Sequence, residues 1–437
     1  MKRKRVRSAR KTNWRAGLTS KPVFWVAVVL VLALVISHPS VRSWFRVMSS
    51  KAFSWTIVQM TNETGYEWAI DSSGSRVVVA KGDMLYKPKN LYVYNASTPA
   101  KPPIKILATD VAGGDAYLAS AKIDGDKVVY SKVRDDNQGV NIWLFTINPD
   151  NISGINTKIS PDSSTPSTKR FRVRPDISGS KIIYQNFDIS GGGSVRRGDL
   201  VMVDAVPNAP ETFLAGKVAI VGNKWEYEEP SVNISSKIDG GWVVWRDYFY
   251  DDLQHIGTVG IYACKVSDPT NKITLLPPAT YPAVGSFDIL GSLAVASITT
   301  KGAGDTTNTN IYTCDLANCI PTLKLVNVPS SPYVGTQVNL KSIWGNKVVY
   351  VMEKPKSTGN PAPIHQKWYY KDLVTGENSL IAELGSSSNT TVLTQRYERP
   401  LLAAFGTNKF VSVITKREAP GGMLSYTDAN IFAAIGY

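Results

Sequence analysis

A chain of 437 residues, 43% hydrophobic and 19% charged, is long enough for two or three ordinary domains or for one closed repeat array. Its formal charge of +14 suggests nucleic acid until the charge is located: residues 1–53 carry 12 of the 49 Lys and Arg and no acid, leaving 37 bases against 35 acids. The remainder is nearly neutral, which argues against a nucleic-acid partner, and three cysteines exclude a disulfide framework or a zinc array.

Nine basic residues lie between Lys2 and Lys21, and an apolar run follows from Val23 to Ser37. The run is short for a spanning helix and long for a signal-peptide core, so both readings stay open. No small-x-small cleavage pattern follows closely, and Trp44 and Phe45 suit a membrane interface, so an uncleaved signal anchor over residues 22–38 is the reading adopted. The basic flank then keeps residues 1–21 in the cytoplasm. Residues 39–53 become a juxtamembrane stalk, and residues 54–437 lie outside the cytoplasmic membrane, in the periplasm or at the cell surface.

Past the stalk, Thr56–Met60 reads as a lone strand, and then a unit begins to recur. A glycine, two or three mostly polar residues and an apolar run appear at Gly74 (Arg76-Val-Val-Val), Gly125 (Lys127-Val-Val-Tyr) and Gly179 (Lys181-Ile-Ile-Tyr). The same unit returns at Gly240 (Trp242-Val-Val-Trp), Gly291 (Leu293-Ala-Val-Ala), Gly345 (Lys347-Val-Val-Tyr) and Gly406 (Lys409-Phe-Val-Ser). The steps of 51, 54, 61, 51, 54 and 61 residues are near the periods of propeller blades. Each copy continues with a third strand: Leu91–Tyr94, Ile142–Phe145, Leu200–Val203, Ile261–Cys264, Ile311–Cys314, Trp368–Tyr370 and Ile431–Ala434. Fourth strands are expected at Ile104–Leu107, Lys158–Ser160, Glu211–Leu214, Lys272–Leu275, Leu323–Val326 and Ser379–Ala382. The seventh copy has none, and Thr56–Met60 can supply it, closing the ring so that no sheet edge stays open. The expectation is an all-β, seven-bladed propeller, with long loops after the second strands at 188–198, 247–260, 299–310, 353–366 and 416–428.

Units such as Arg174-Pro-Asp-Ile-Ser-Gly-Ser-Lys-Ile-Ile-Tyr184 resemble the Pro-Asp repeats of TolB-like propellers and related prokaryotic cell-surface propellers. The resemblance covers roughly residues 56 to 437, although the Pro-Asp pair itself stands only at Pro175-Asp176. It implies a periplasmic or surface-exposed propeller that acts by protein or glycan contact, without catalysis. The separate N-terminal domain of the Tol-system protein has no counterpart here.

The candidate site residues fall in the third and fourth copies. Arg170, Arg172 and Arg174 alternate with Phe171 and Val173, so an unbroken strand puts all three on one side, and Arg196 and Arg197 follow in the next loop. Five arginines could converge on an anionic ligand. A lattice of ion pairs with Glu226, Glu228 and Glu229 would use the same residues and is the preferred reading. Trp242-Val-Val-Trp-Arg-Asp-Tyr-Phe-Tyr-Asp-Asp252 and His255 offer aromatic rings beside carboxylates, which suits sugar stacking through Trp245, Asp247, Tyr248 and His255. Trp242 and Trp245 also suit packing between blades. Asp247, Asp251 and Asp252 lack the oxygen spacing of a calcium loop, so no metal is expected, nor any cofactor. His255 and His365 have no nucleophile elbow or zinc motif beside them, and no carboxylate pair stands out for glycoside chemistry.

Cys314 and Cys319 flank one turn and are expected to form a disulfide in an exported domain, whereas Cys264 should stay a buried free thiol. Five Asn-x-Ser/Thr triplets, at Asn62, Asn95, Asn151, Asn233 and Asn389, are about what chance gives in this composition. The function expected is a binding or scaffolding module for an envelope protein or polysaccharide. A propeller hydrolase or lyase acting on cell-wall polymer is the alternative.

Overall fold

Runs such as Val77-Val78-Val79, Val128-Val129-Tyr130 and Ile182-Ile183-Tyr184 are apolar on both faces and completely buried. β-Branched and aromatic residues of this kind make strands covered on both sides. In the computed structural model they do so, and every regular element among the described residues is a strand. The structure describes residues 55–436 apart from 62–65, 83–89, 109–119, 134–138, 162–168, 191–193, 218–235, 252–255, 280–282, 302–306, 319–323, 327–336, 354–365, 385–395, 406–408 and 419–427. The expected anchor and stalk therefore lie outside the described residues. Among those described, no helix is long and apolar enough to cross a membrane.

After β1 (Trp55–Gln59) the strands fall into quartets. The first is β2 (Tyr66–Ser73), β3 (Arg76–Gly82), β4 (Asn90–Asn95) and β5 (Ile104–Ala108). The second is β6 (Ala121–Asp124), β7 (Lys127–Val133), β8 (Gly139–Ile147) and β9 (Gly154–Lys158). The third comprises β10 (Lys169–Ser178), β11 (Lys181–Ser190), β12 (Ser194–Asp204) and β13 (Thr212–Lys217). Then come β14 (Ser236–Asp239), β15 (Trp242–Asp251), β16 (Ile256–Lys265) and β17 (Asp268–Ala279). The fifth holds β18 (Ala283–Leu290), β19 (Leu293–Lys301), β20 (Thr307–Asp315) and β21 (Lys324–Val326). The sixth holds β22 (Gln337–Trp344), β23 (Lys347–Glu353), β24 (Gln366–Asp372) and β25 (Asn378–Leu384). β26 (Arg396–Phe405), β27 (Lys409–Glu418) and β28 (Asp428–Gly436) end the series.

Within each quartet the strands pair antiparallel in chain order. A short parallel pairing of β8 with β10, Arg170 opposite Gly139 and Phe171 opposite Val140, merges the second and third quartets into one eight-stranded sheet. The last three strands gain their fourth from the other end of the chain: β1 runs antiparallel to β28, from Trp55 opposite Gly436 to Gln59 opposite Phe432. The first strand of each sheet neighbours the first strand of the next, and β26 lies beside β2, so the series closes on itself. The core is correspondingly divided into slabs between neighbouring sheets. Val78, Ala80 and Leu91 meet Ile123, Val128 and Phe145; Ile183 and Met202 meet Ile238, Val243 and Trp245. Each such Val, Leu, Ile, Met or Phe side chain contributes roughly 1.5–3 kcal/mol by leaving water.

Polar stitches cross the same seams at the turns. Gly125 N–H donates to Ser73 Oγ (3.0 Å), Gly179 N–H to Asp124 Oδ2 (2.6 Å) and Gly291 N–H to Asp239 Oδ2 (2.6 Å). Arg76 and Lys127 donate back to the Gly125 and Gly179 carbonyls. Gly240 shows why a glycine sits here: its φ is +53°, and a Cβ would come within 2.3 Å of Gly291 Cα on the next turn.

Two sequence expectations are corrected. The second quartet's outer strand is Gly154–Lys158, not Lys158–Ser160. Ile159, completely buried, looked like a strand residue but follows the ladder, while Gly154 enters it because a Cβ there would strike the Phe145 ring. The segments 188–198, 247–260 and 299–310 are chiefly strand rather than loop, since β11–β12, β15–β16 and β19–β20 continue pairing almost to their hairpin tips.

Candidate functional site

Three residues before five of the seven turn glycines, the first strands place Asp71, Lys122, Asp176, Lys237 and Asp288 at matching positions. The aspartates clamp the neighbouring sheet: Ile123 N–H donates to Asp71 Oδ2 (2.9 Å), Ile238 N–H to Asp176 Oδ2 (3.1 Å) and Ile343 N–H to Asp288 Oδ2 (3.2 Å). Lys122 pairs with Asp71 at 3.1 Å and Lys237 with Asp288 at 3.5 Å. Burial pushes the Asp176 carboxyl up to about 6, against the pull of Lys237 and Lys122. Burial lowers Lys237, but Asp288, Asp176 and Asp71 outweigh it and hold the ammonium above its usual value. One lysine sensing carboxylates from three sheets identifies a charged belt on the inner strands. A raised carboxyl can mark an acid–base group. Here both oxygens accept backbone N–H groups, Oδ1 from Ile177 and Oδ2 from Ile238, which is the arrangement of a clamp. Among the described residues no three His, Cys, Asp or Glu side chains form a metal group.

The arginines separate. Arg172 is completely buried, with Nη1 donating to Asn141 Oδ1 (3.2 Å) and Nε ion-paired to Glu211 at 3.3 Å, while Tyr184 donates to the same carboxylate at 2.6 Å. It ties the second quartet to the third and has no surface open to an outside ligand. The expected shared side for Arg170, Arg172 and Arg174 fails at a bulge between Val173 and Asp176, where Arg174 takes a left-handed φ of 53°. Arg174 is half-buried and senses Arg246, on β15, whose Nη1 donates to Gly285 O at 2.9 Å. Arg170, Arg196 and Arg197 lie on strands, but their side chains are outside the described set, as are residues 226–229.

In the fourth quartet Trp245 is 2% exposed and stacks on Tyr262 with ring centroids 5.9 Å apart, so its indole packs the core and offers no sugar platform. Asp247 and Tyr248 lie on β15 beyond it, opposite Gly260 and Val259. Among the described residues, β14 covers β15 only from Trp242 to Trp245, whereas β15 and β16 stay paired out to Asp251 opposite Ile256. Residues 218–235, which precede β14, lie outside the described residues. So does His255, at the tip of the β15–β16 hairpin. Cys264 is a buried free thiol pushed up to about 11 by burial. Cys319, the expected partner of Cys314, lies outside the described residues. The belt was missed in the sequence although its signal, a charged residue three before the glycine, stood in five copies.

No protein-family model and no curated protein matches the chain. Solved structures do. A polysaccharide lyase, Uly1, aligns with TM-score 0.51 and 8% identity over 88% of this chain and 99% of that one. The β-propeller domain of the Trilobed protease from Pyrococcus furiosus aligns at 0.49 and 12% over 85% and 96%. A TolB-type structure from Agrobacterium tumefaciens aligns at 0.36 and 12% over 76% and 90%. The closed series of antiparallel sheets defines the fold as a β-propeller. Its structural neighbours include TolB-like propellers alongside a lyase and a protease, and at such identities the likeness establishes the fold alone.

Proposed function

We propose that residues 54–437 form a seven-bladed propeller, held outside the cytoplasmic membrane by the anchor at 22–38, that binds an envelope protein or polysaccharide. Six quartets plus the trio completed by β1 support the blade number. The nine-residue basic flank and apolar run support the anchor and its orientation. A Cys314–Cys319 disulfide fits an exported domain.

The observation that carries the binding reading is the β15–β16 hairpin. The β15–β16 ladder, paired out to Asp251 opposite Ile256, carries the aromatic and charged segment Arg246-Asp-Tyr-Phe-Tyr-Asp251 towards the hairpin tip, and hairpin tips are where a scaffold can hold binding residues. The test is capture of envelope material by the full-length chain beside a Tyr248→Ser, Tyr250→Ser variant. Loss of one captured polymer or protein at unchanged melting temperature is the expected result; equal capture overturns the reading.

A further inference from the structure

Within each quartet the turn from first to second strand and the turn from third to fourth lie at the same end, because neighbouring strands run antiparallel. The seam contacts put these ends on one face of the ring: Gly125 and Gly179 bond to the turns before them, and Arg76 Nη2 donates across a seam to Asn151 Oδ1. The chain enters the ring at this face too, since β1 begins with Trp55 opposite Gly436, where β28, a third strand, ends. All seven large apolar side chains that stand exposed among the described residues gather at the same end. Ile152, Val206 and Val374 occupy third-to-fourth turns and are 77%, 53% and 79% exposed. Ile155, Phe213, Leu325 and Leu380 are the second or third residues of fourth strands, within about 10 Å of the strand starts at roughly 3.3 Å per residue. Singly scattered exposed residues need no explanation, but confinement to one end does. The acids beside the tips are already engaged. Asp150 accepts the Ile152 N–H at 3.0 Å, Asp372 accepts the Val374 and Thr375 N–H groups at 2.9 Å, and Asp204 pairs with Lys181 at 2.7 Å.

We infer that this turn face rests on the bilayer, with Ile152, Val206 and Val374 dipping into the lipid interface. The inference rests on the anchor reading above. Residues 39–53, the chain between the anchor and the ring, reach at most about 50 Å when fully extended and join the ring at this face. A second copy or a protein partner would favour one contiguous patch, whereas tips on the second, third and sixth sheets of a closed series define a plane, which suits a lipid surface. Shallow insertion of aliphatic tips draws on apolar burial and needs no anionic lipid. The opposite end, with the β15–β16 hairpin tip, then faces away from the membrane, where an envelope protein or polysaccharide can reach it.

The experiment reconstitutes the full-length chain into phosphatidylcholine vesicles that contain a headgroup-nitroxide lipid. A bimane label is placed by Ile152→Cys, by Val374→Cys or, at the opposite end on the β11–β12 hairpin, by Ser194→Cys. The labels at 152 and 374 should be quenched roughly threefold or more, and the label at 194 should keep its fluorescence. In an Ile152→Ser, Val206→Ser, Val374→Ser background, a label at Ala317→Cys, exposed in the turn after β20, should be quenched less than in the parent at unchanged melting temperature. Vesicle-bound protein whose turn labels are quenched no more than the one at 194 would overturn the inference and leave the anchor standing. Unquenched labels together with disulfide dimers of the Ile152→Cys or Val374→Cys chain would give the face to a second copy and overturn it as well. Chains that fail to float with the vesicles would overturn the anchor and this inference with it, while capture through Tyr248 and Tyr250 would stand.

Discussion

Replacing Asp176 by Ala removes the acceptor that Ile238 N–H uses across a seam and the carboxylate beside Lys237. A buried hydrogen bond to a charged group is worth about 1.5–3 kcal/mol, part of which returns because no carboxylate has to be desolvated. A net loss of about 2 kcal/mol is expected at pH 7. Spread over the unit Trp55–Tyr437, an unfolding entropy of about 2.1 cal/mol/K per residue turns this into a fall of roughly 2–3 °C in melting temperature. Asp176→Asn keeps an acceptor oxygen and should lose less than about 1 kcal/mol. The two variants also separate by pH. The folded carboxyl titrates near 6, above its ordinary value of 3.8, so its stabilising share is complete below about pH 4 and is lost as pH rises through 6. At 1.36 kcal/mol per unit, the wild type should lose up to roughly 3 kcal/mol relative to Asp176→Asn between pH 4 and pH 7. Differential scanning calorimetry at half-unit pH intervals reads both effects. A melting temperature for Asp176→Ala within about 1 °C of wild type, or superimposable pH profiles for wild type and Asp176→Asn, would refute the clamp.

Arg172→Ala strands Glu211 and Asn141 in a buried seam and should cost about 3–5 kcal/mol in denaturant unfolding, with envelope capture by the folded fraction unchanged. Ile57→Pro with Val58→Pro in β1, opposite Ala434 and Ala433, removes a ladder donor whichever of the two faces β28 and should bare the β28 edge; a loss of about 3 kcal/mol or more and new oligomers in size-exclusion chromatography are expected, and an unchanged monomer would contradict the closure. Gly240→Ala meets both a left-handed φ and the Gly291 backbone at 2.3 Å, so it should destabilise by more than about 1 kcal/mol, whereas Gly179→Ala, with open space around it, should cost only the conformational part. Cys264, with its thiol pushed up to about 11, should resist alkylation at pH 8 in the native chain and react promptly in denaturant.

The architecture was readable because each copy repeats a glycine that permits a tight turn, followed by β-branched residues that only a doubly covered strand can bury. The strand Thr56–Met60, left unpaired by that pattern, was enough to anticipate the β1–β28 pairing. The site was less readable. A period-two count assumes an unbroken pleat, and the bulge after Val173 separates Arg174 from Arg172 in a way no spacing encodes. Trp245 could not be told from an exposed aromatic by its neighbours alone, because its burial comes from Ile183 and Leu214, far away in the chain. Polar residues such as those around 188–198 were read as loop because composition reports solvent contact, whereas β11 and β12 stay paired out to Ser190 opposite Ser194.

The β1–β28 pairing also sets the order in which the molecule can be completed. Trp55 lies opposite Gly436, so the last ladder to form joins residues separated by the whole series of sheets. Sheets made of neighbouring strands can assemble locally as the polypeptide emerges, but this ladder must wait for the strand that carries Gly436, and β28 lacks its outer partner until then. Folding should therefore show a fast rise of strand signal followed by a slower step tied to ring closure, in which a delay at the end of synthesis leaves an incomplete and association-prone ring.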